Sequence, residues 1–406
     1  MKPLLFLALL LTSTLQPAGA APLHLKPADR FVFVGNTFAE RLVEFGFFEA
    51  LLTAHFPEHK LSFRNLGWSA DTVAGVISDS EVEQNLRPLN FADQMTQLHE
   101  QKPDVIFACY GMVESFDAPA GLARFEEALT KWIASQRSMN YSGKGAPRIV
   151  LVSPIAHEAL GGKLPDPTAH NEQLAACTAL MKKVGAAHAD QGVSFLDLYT
   201  PTRRLMAARG TQRLTINGIH LNEHGSLLVA QEMMSGLGYA VRSAGVEVDA
   251  DGNLPVRVTL REKSLPAPAV ARGDRPPEDS LQSGPLVVVR GLAPGNYTLS
   301  AAGKPVAEGT AADWARGIRV TAGLGHARAA QLLEAVEDKN LWFFHRYHAV
   351  NGEYIYGRRA KPFGVVNFPV EMQQLDDLVA RKEEQIWELA RPSSAETFEL
   401  QLSPKR

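Results

Sequence analysis

The chain has few features of the specialised protein classes. Its 406 residues include only two cysteines, and the 41 lysines and arginines nearly balance the 44 aspartates and glutamates. That balance creates no strong field for nucleic acid or for an anionic membrane. After residue 20 no run reaches the roughly 18 consecutive apolar residues of a membrane span. Glycine-rich phosphate loops are also absent from the sequence. We therefore expect a globular protein whose function depends on its motifs.

The two cysteines do not suggest a disulfide or a metal site. Cys109 lies in an apolar run, and Cys177 lies in a helical pattern. Both are predicted to be buried small hydrophobic residues. No Cys and His spacing resembles a structural zinc site, so we expect no metal and no cofactor.

The first 20 residues have the organisation of a secretory signal peptide. Lys2 supplies a positive start, residues 4–11 form a short apolar run, and residues 18–20 give a small-residue cleavage site. This pattern predicts that residues 1–20 are removed and that the protein is secreted or periplasmic.

From residue 30 to about 240 short apolar strands alternate with amphipathic helices, which predicts a three-layer, doubly wound parallel sheet. In such sheets ligands bind beyond the carboxyl ends of the strands. The predicted strands are Phe31–Gly35, Leu61–Asn65, Val105–Tyr110, Ile149–Ser153 and Val193–Leu196. The predicted helices lie near 38–55, 91–101, 119–138, 169–190 and 222–237.

We divide the chain into four parts from its changes in composition. After the signal peptide (1–20), an α/β domain is expected over 21–245 and a small β-rich module with a Pro-rich loop over 246–326. In that module residues 286–309 predict strand, turn, strand, with Pro294-Gly295 at the turn. A helical and aromatic segment is expected over 327–406, with a last helix near 369–390.

Four polar clusters follow predicted strands or precede the last helix of the α/β domain. They read GNT (35–37), NLGWSADT (65–72), GMVE (111–114) and NGIH (217–220). Because a parallel sheet brings such segments to one edge, the clusters predict a binding or catalytic site there.

In order, spacing and placement these clusters resemble the motif blocks of the SGNH/GDSL hydrolase family, over a little more than half of the chain. The resemblance extends to an exported bacterial branch through HLN (220–222) and SPIAHE (153–158). It implies a flavodoxin-like five-stranded sheet and an esterase or acylhydrolase activity. Thr37 then stands at the nucleophile position and His220 at the base, with Asn217 and Asn36 completing the catalytic set. The oxyanion and substrate-binding positions become Ala70, Gly67, Gly111, Trp68 and Glu114.

Three departures from the family pattern affect the chemistry. Thr37 replaces serine, and its methyl group crowds the path of attack. Val113 replaces the Asn that helps bind the oxyanion. In other enzymes, removing one such hydrogen-bond donor lowers the rate by roughly 100- to 1,000-fold. Asn217 replaces the Asp that orients the histidine, a change that costs about 10,000-fold in a serine protease. Asp71, Glu114, Glu158 and Glu223 are candidates for a substitute carboxylate.

Two functions of different class therefore stay open. The first is hydrolysis of an acyl ester or of a carbohydrate O-acyl group, with a small-molecule or glycan ester as the substrate. The second is a catalytically weakened or inactive protein that binds carbohydrate or ester on the same scaffold. A third pattern, His220-x-x-Glu223-His224, matches inverted zinc peptidases. It is set aside because Asn222 is the predicted helix N-cap, which leaves His220 outside the helix.

Overall fold

The computed structural model describes residues 23–77, 84–85, 94–208, 212–239, 246–250, 254–261, 265, 268, 285–320, 325–348, 368–391 and 397–404. The predicted signal peptide, most of the Pro-rich loop at 262–285 and the end of the aromatic segment, from residue 349, lie outside these residues.

The first part of the chain is an α/β domain. Its strands are β1 (Arg30–Gly35), β2 (Ser62–Asn65), β3 (Val76–Ile77), β4 (Gln84–Asn85), β5 (Val105–Cys109), β6 (Arg148–Val152) and β7 (Val193–Leu196). Its helices are α1 (Thr37–Arg41), α2 (Phe47–His55), α3 (Gln94–Gln101), α4 (Leu122–Arg137), α5 (Thr168–Ala187), α6 (Tyr199–Ala208) and α7 (Glu223–Gly236).

The second part contains a β module and two long helices. Its elements are β8 (Val246–Asp249), β9 (Val256–Arg261), β10 (Leu286–Arg290), β11 (Asn296–Ala301), β12 (Lys304–Thr310), α8 (Ala311–Arg316), β13 (Ile318–Arg319), α9 (His326–Tyr347), α10 (Phe368–Ala390) and β14 (Thr397–Pro404). No helix among the described residues is both long and apolar enough to cross a bilayer.

Five parallel strands form the central sheet in the order β2-β1-β5-β6-β7. This is the flavodoxin-like strand order, and all five predicted strands are confirmed. They are continuous apolar runs because helices cover both faces of the sheet, where two hydrophobic clusters lie. In this order the direction of winding changes between β1 and β5, so a ligand site is expected at their carboxyl ends.

The close contact between β1 and β5 at this point requires glycine. A Cβ on Gly35 would lie 2.1 Å from the carbonyl oxygen of Cys109, and Gly35 has a φ of +123°. The next residue, Asn36, donates its backbone N–H to the same oxygen at 3.1 Å. The chain therefore passes from β1 directly into α1 beside the end of β5. Cys109 and Cys177 are buried and unpaired, as predicted.

One helix prediction for the α/β domain is wrong, and one helix was not predicted. The helix expected near 38–55 is two helices, and residues 42–46 separate α1 from α2. Gly46 caps α2, and a Cβ there would lie 2.5 Å from Val336 of α9, so the break accommodates a distant helix. The short helix α6 was not expected, although Asp197 signals its start by accepting a hydrogen bond from the Thr200 N–H at 3.0 Å.

The strand, turn, strand prediction for residues 286–309 is confirmed by β10 and β11, but these two strands do not pair with each other. β10 pairs with β8 and β13, whereas β11 pairs with β12 and β14, so the Pro294-Gly295 turn joins strands of two sheets. The hairpin is β11–β12, and its turn residues Ala302 and Gly303 have φ values of +47° and +78°. Two consecutive positive φ angles are the signature of a tight type I′ hairpin turn. After α10 the chain returns to this module as β14.

Helices α9 and α10 cover the open edge of the sheet at β2. The Leu61 carbonyl next to β2 accepts a hydrogen bond from Trp387 Nε1 at 2.8 Å, and the Phe63 carbonyl within it accepts one from Lys339 Nζ at 3.0 Å. These side chains satisfy carbonyls that an edge strand otherwise exposes. Arg64, on the same strand, forms a bidentate pair with Glu383 at 2.6 and 3.1 Å.

The Lys339 ammonium is completely buried and pairs with Glu49 of α2 at 2.8 Å. We predict that Lys339→Ala lowers the free energy of unfolding by about 3–5 kcal/mol, because it leaves the Glu49 carboxylate buried without its partner. Urea denaturation measures this loss. The matched control is Lys382→Ala, which removes the more exposed pair with Asp338 and is expected to cost under ~1 kcal/mol. Equal losses in the two variants would contradict the prediction.

Candidate active site

Thr37 is the first residue of α1, at the carboxyl end of β1. Asn36 caps this helix, and its Oδ1 accepts a hydrogen bond from the Phe38 N–H at 3.0 Å. The amide side chain at position 36 is thus used for capping. The Thr37 hydroxyl accepts a hydrogen bond from the backbone N–H of Ala70 at 3.1 Å. The hydroxyl proton stays available for donation to a base.

The loop at 65–72 is held against α1 by contacts of Asn65 and Gly67. Asn65 donates its side-chain N–H to the Ala39 carbonyl at 2.6 Å and accepts from the Gly67 N–H at 2.8 Å. A Cβ on Gly67 would lie 2.3 Å from the backbone nitrogen of Glu40. Glycine is needed there because the loop approaches the helix so closely. The contact directs the Ala70 N–H at Thr37.

Trp68 joins this loop to α9. Its ring stacks on His348 with a centroid distance of 4.2 Å and an angle of 18°, and it meets Tyr347 edge-on at 5.8 Å. Burial lowers the pKa of His348 to about 4, so this imidazole is neutral in the stack. The position predicted to bind substrate therefore packs against the end of α9 in this structure.

Glu114 organises the end of β5. Its carboxylate accepts hydrogen bonds from the backbone N–H groups of Gly111 and Val73 at 2.8 and 2.9 Å. Burial raises the pKa of Glu114 to about 6, and the nearby Asp71 carboxylate adds to the shift. The Gly111 N–H predicted to bind an oxyanion is thus engaged by Glu114. Val113 and Glu114 also line a cavity of about 180 Å³.

Asn217 and His220 are brought together in the loop before α7. Asn217 Oδ1 accepts from the backbone N–H groups of His220 at 2.9 Å and Ile219 at 3.3 Å. Since both partners are donors, this atom is the amide oxygen. The Asn217 Nδ2 group then faces His220 Nδ1 at 3.1 Å. Asn222 is the N-cap of α7 as predicted, accepting from the Gly225 N–H at 2.8 Å.

This orientation selects one tautomer of the His220 ring. Because Asn217 Nδ2 donates, Nδ1 accepts and the ring proton of the neutral imidazole lies on Nε2. Burial, followed by the nearby positive charge of Arg41, lowers the pKa of His220 and keeps the ring neutral near pH 7. An Nε2–H group is a hydrogen-bond donor, whereas a general base needs a free lone pair at that atom.

Three of the four candidate substitute carboxylates are engaged in other contacts, and the fourth, Glu223, is the first residue of α7. Glu158 accepts from the backbone N–H groups of Leu214 at 2.9 Å and Thr215 at 2.8 Å, and also from the Thr215 hydroxyl. It therefore holds the loop that carries His220 rather than its ring. Glu114 binds the backbone as described above, and Asp71 Oδ2 accepts from the Tyr110 hydroxyl at 3.5 Å.

The structure thus joins Thr37 to Ala70 and His220 to Asn217. Among the described residues no hydrogen bond links Thr37 to His220. The sequence analysis missed a hydroxyl–imidazole–imidazole chain nearby. Ser115 Oγ lies 2.8 Å from His170 Nε2, and His170 Nδ1 lies 2.9 Å from His157 Nδ1. The sequence feature that could have indicated this chain is the pair His157 and His170, which lie in and just after the segment that follows β6.

Ala70 has a φ of +60°, which is strained for any residue with a Cβ. We predict that Ala70→Gly raises the free energy of unfolding by ~0.5–1 kcal/mol, measured by urea denaturation. Ala74, exposed in the same segment and without a positive φ, is the matched control. Ala74→Gly should lower stability, because glycine there only adds freedom to the unfolded chain. A loss of stability in both variants would contradict the strain at position 70.

No family model matches the chain, and no curated protein matches it. Among solved structures, BT4096, a gut microbial diltiazem-metabolizing enzyme, is similar with a TM-score of 0.69 and 16% identity, over 94% of this chain and 99% of its own. Axe2, an acetylxylan esterase from Geobacillus stearothermophilus, matches 53% of this chain and 96% of its own at 14% identity and a TM-score of 0.39. LAE5, an alpha/beta hydrolase enzyme from the metagenome of Lake Arreo, Spain, matches 53% of this chain and 98% of its own, at 16% identity and a TM-score of 0.39. The similarity to BT4096 over almost the whole chain shows a shared fold, and this fold contains the doubly wound parallel sheet that the sequence predicts.

Proposed function

We propose that this protein is an ester hydrolase of the SGNH/GDSL type, in which Thr37 attacks and His220 transfers the proton. The supporting observation is the Thr37 hydroxyl, which lies 3.1 Å from the Ala70 N–H at the switch point of the sheet. The substrate class that suits this site is a small-molecule ester or a carbohydrate O-acyl group. The apolar signal at residues 1–20 supports action outside the cytoplasm.

In the proposed reaction Thr37 Oγ1 bonds to the ester carbonyl carbon while its proton passes to His220 Nε2, which requires the minor ring tautomer that carries its proton on Nδ1. The carbonyl oxygen becomes an oxyanion, and the Ala70 N–H, released from Thr37, donates to it. The C–O bond to the alcohol then breaks, and the alcohol leaves with the proton from His220. Water attacks the acyl-threonine in the second half, giving up one proton through His220, and the acid leaves as Thr37 is regenerated.

Asn217 favours the second candidate, binding without turnover. Its Nδ2 group holds the His220 ring with the proton on Nε2, so the ring presents a donor and not a base at that atom. Val113 removes a side-chain oxyanion donor at the same site. On this account the protein binds an ester or glycan, and its turnover is at the background rate.

Thr37 variants test the nucleophile. With p-nitrophenyl acetate and an acetylated sugar as substrates, we expect Thr37→Ser to raise kcat, because it removes the crowding methyl group. Thr37→Val keeps the branched shape without the hydroxyl, and like His220→Ala it should reduce turnover to background. Ser69→Ala is the control, since this exposed neighbouring hydroxyl bonds to Glu40 and has no part in the proposed step. If only Ser69→Ala abolishes turnover, Thr37 is not the nucleophile.

Asn217→Asp tests the tautomer. An aspartate accepts the same two backbone N–H groups and also accepts from Nδ1–H, which frees the Nε2 lone pair. We expect kcat/KM for p-nitrophenyl acetate to rise by up to about 10,000-fold, the reverse of the loss in a serine protease. Asn222→Asp is the matched control, because it keeps the cap of α7 and leaves the ring alone. Saturable binding with no turnover in Asn217→Asp would favour the binding protein.

A further inference from the structure

A second cavity, of about 420 Å³, lies beside the loop that carries His220. Its wall is formed by the segment after β6, the start of α5, and α6, and it includes apolar side chains such as Leu160 and Met206. Thr37, Ala70 and His220 do not line it. The volume falls within the range of ordinary small-molecule sites.

Two arginines give this cavity a net positive charge. Arg203 and Arg213 line it, and neither forms an ion pair with a described residue. Within the described part of the chain the guanidinium of Arg203 donates only to the Tyr199 hydroxyl, at 3.3 Å. Its neighbour Arg204, by contrast, pairs with Glu232 at 2.9 Å. Glu158 also lines the cavity, where its carboxylate accepts from the backbone N–H groups of Leu214 and Thr215 and offsets one of the two positive charges.

The third polar group in the wall, His157, is fixed in place. Asn171 accepts from the His157 N–H at 2.9 Å and donates to its carbonyl at 2.8 Å. The ring bonds through Nδ1 to His170, whose own ring stacks on Phe116 at 4.5 Å. A site residue held by this many contacts loses little freedom when it binds a ligand.

The hydrogen-bond chain also sets the His157 tautomer. The single proton of Ser115 Oγ is donated to the Met112 carbonyl at 2.6 Å, so Oγ accepts from His170 Nε2–H. His170 Nδ1 then accepts from His157 Nδ1–H, which leaves His157 Nε2 with a lone pair. Burial lowers the pKa of both rings, to about 4 for His170, so the chain is neutral. His157 Nε2 has no hydrogen-bond partner among the described residues.

We propose that this cavity is a binding site for a small hydroxycarboxylic acid, a class that includes sugar acids. The carboxylate binds Arg203 and Arg213, a hydroxyl group donates to His157 Nε2, and the carbon body lies on the apolar wall. Guanidinium groups favour carboxylates because their parallel N–H donors match the two oxygens. Binding of the acid here requires no turnover, so the site is independent of the proposed hydrolysis.

Calorimetry on the full chain tests the site with two probe sets. The first is mandelate with its neutral amide, mandelamide, and its deoxy form, phenylacetate; the second is glucuronate with glucuronamide. We expect at least one acid to bind, its amide to bind at least ~10-fold more weakly, and phenylacetate to bind more weakly than mandelate. Arg203→Gln and Arg213→Gln should each weaken binding by ~10-fold or more, whereas Arg204→Gln leaves it unchanged.

His157→Phe tests the hydroxyl contact separately. This variant keeps a ring in the wall, and we expect it to bind mandelate and phenylacetate equally, with phenylacetate binding unchanged. Circular dichroism and thermal unfolding establish that each variant is folded. The proposal is overturned if neither acid binds at about 10 mM, if acid and amide bind equally, or if Arg204→Gln loses as much affinity as the cavity variants.

Discussion

The candidate active-site region depends on the contact between Gly35 and the Cys109 carbonyl. Because a Cβ would lie 2.1 Å from that oxygen, any side chain at position 35 would force β1 away from β5. The same carbonyl accepts the Asn36 N–H, so α1 starts at the switch point of the sheet. Gly67 has the same role on the loop at 65–72. Because it has no side chain, this loop can approach the backbone of α1. Together the two glycines determine the distance between the Thr37 hydroxyl and the Ala70 N–H.

Much of this arrangement could be predicted from the sequence, because its cause is local. The five core strands are continuous apolar runs, and Asn222 marks the start of α7 by its type and position. The sequence analysis failed where tertiary contacts or turn geometry determine the local structure. The break between α1 and α2 accommodates Val336, and the β11–β12 hairpin depends on positive φ angles at Ala302 and Gly303, one of which is not a glycine. The pattern of hydrophobic residues indicates neither the helix break nor the hairpin.

The burial of Lys339 shows why long-range charge pairing escapes sequence analysis. In a helical pattern a lysine is expected to face solvent, yet this side chain is fully buried because α9 lies over β2. Its partner Glu49 is 290 residues away in the chain. The lysine also donates to the Phe63 carbonyl. One side chain of α9 therefore contacts both α2 and the edge strand β2. The C-terminal helices are therefore part of the structural support of the α/β domain, and Trp68 connects them to the site.

The identity of residue 217 bears on chemistry more than on folding. The loop needs a side-chain oxygen at this position to accept the N–H groups of Ile219 and His220, and a carboxylate would provide it equally well. Glu158 and Thr215 hold the rest of the loop without any contribution from the Asn217 amide nitrogen. What the amide adds is the Nδ2–H donor opposite His220 Nδ1, and its physical effect is on the position of the ring proton. The choice of Asn over Asp thus acts on the imidazole alone, so the two proposed functions differ in what they require of this one nitrogen atom.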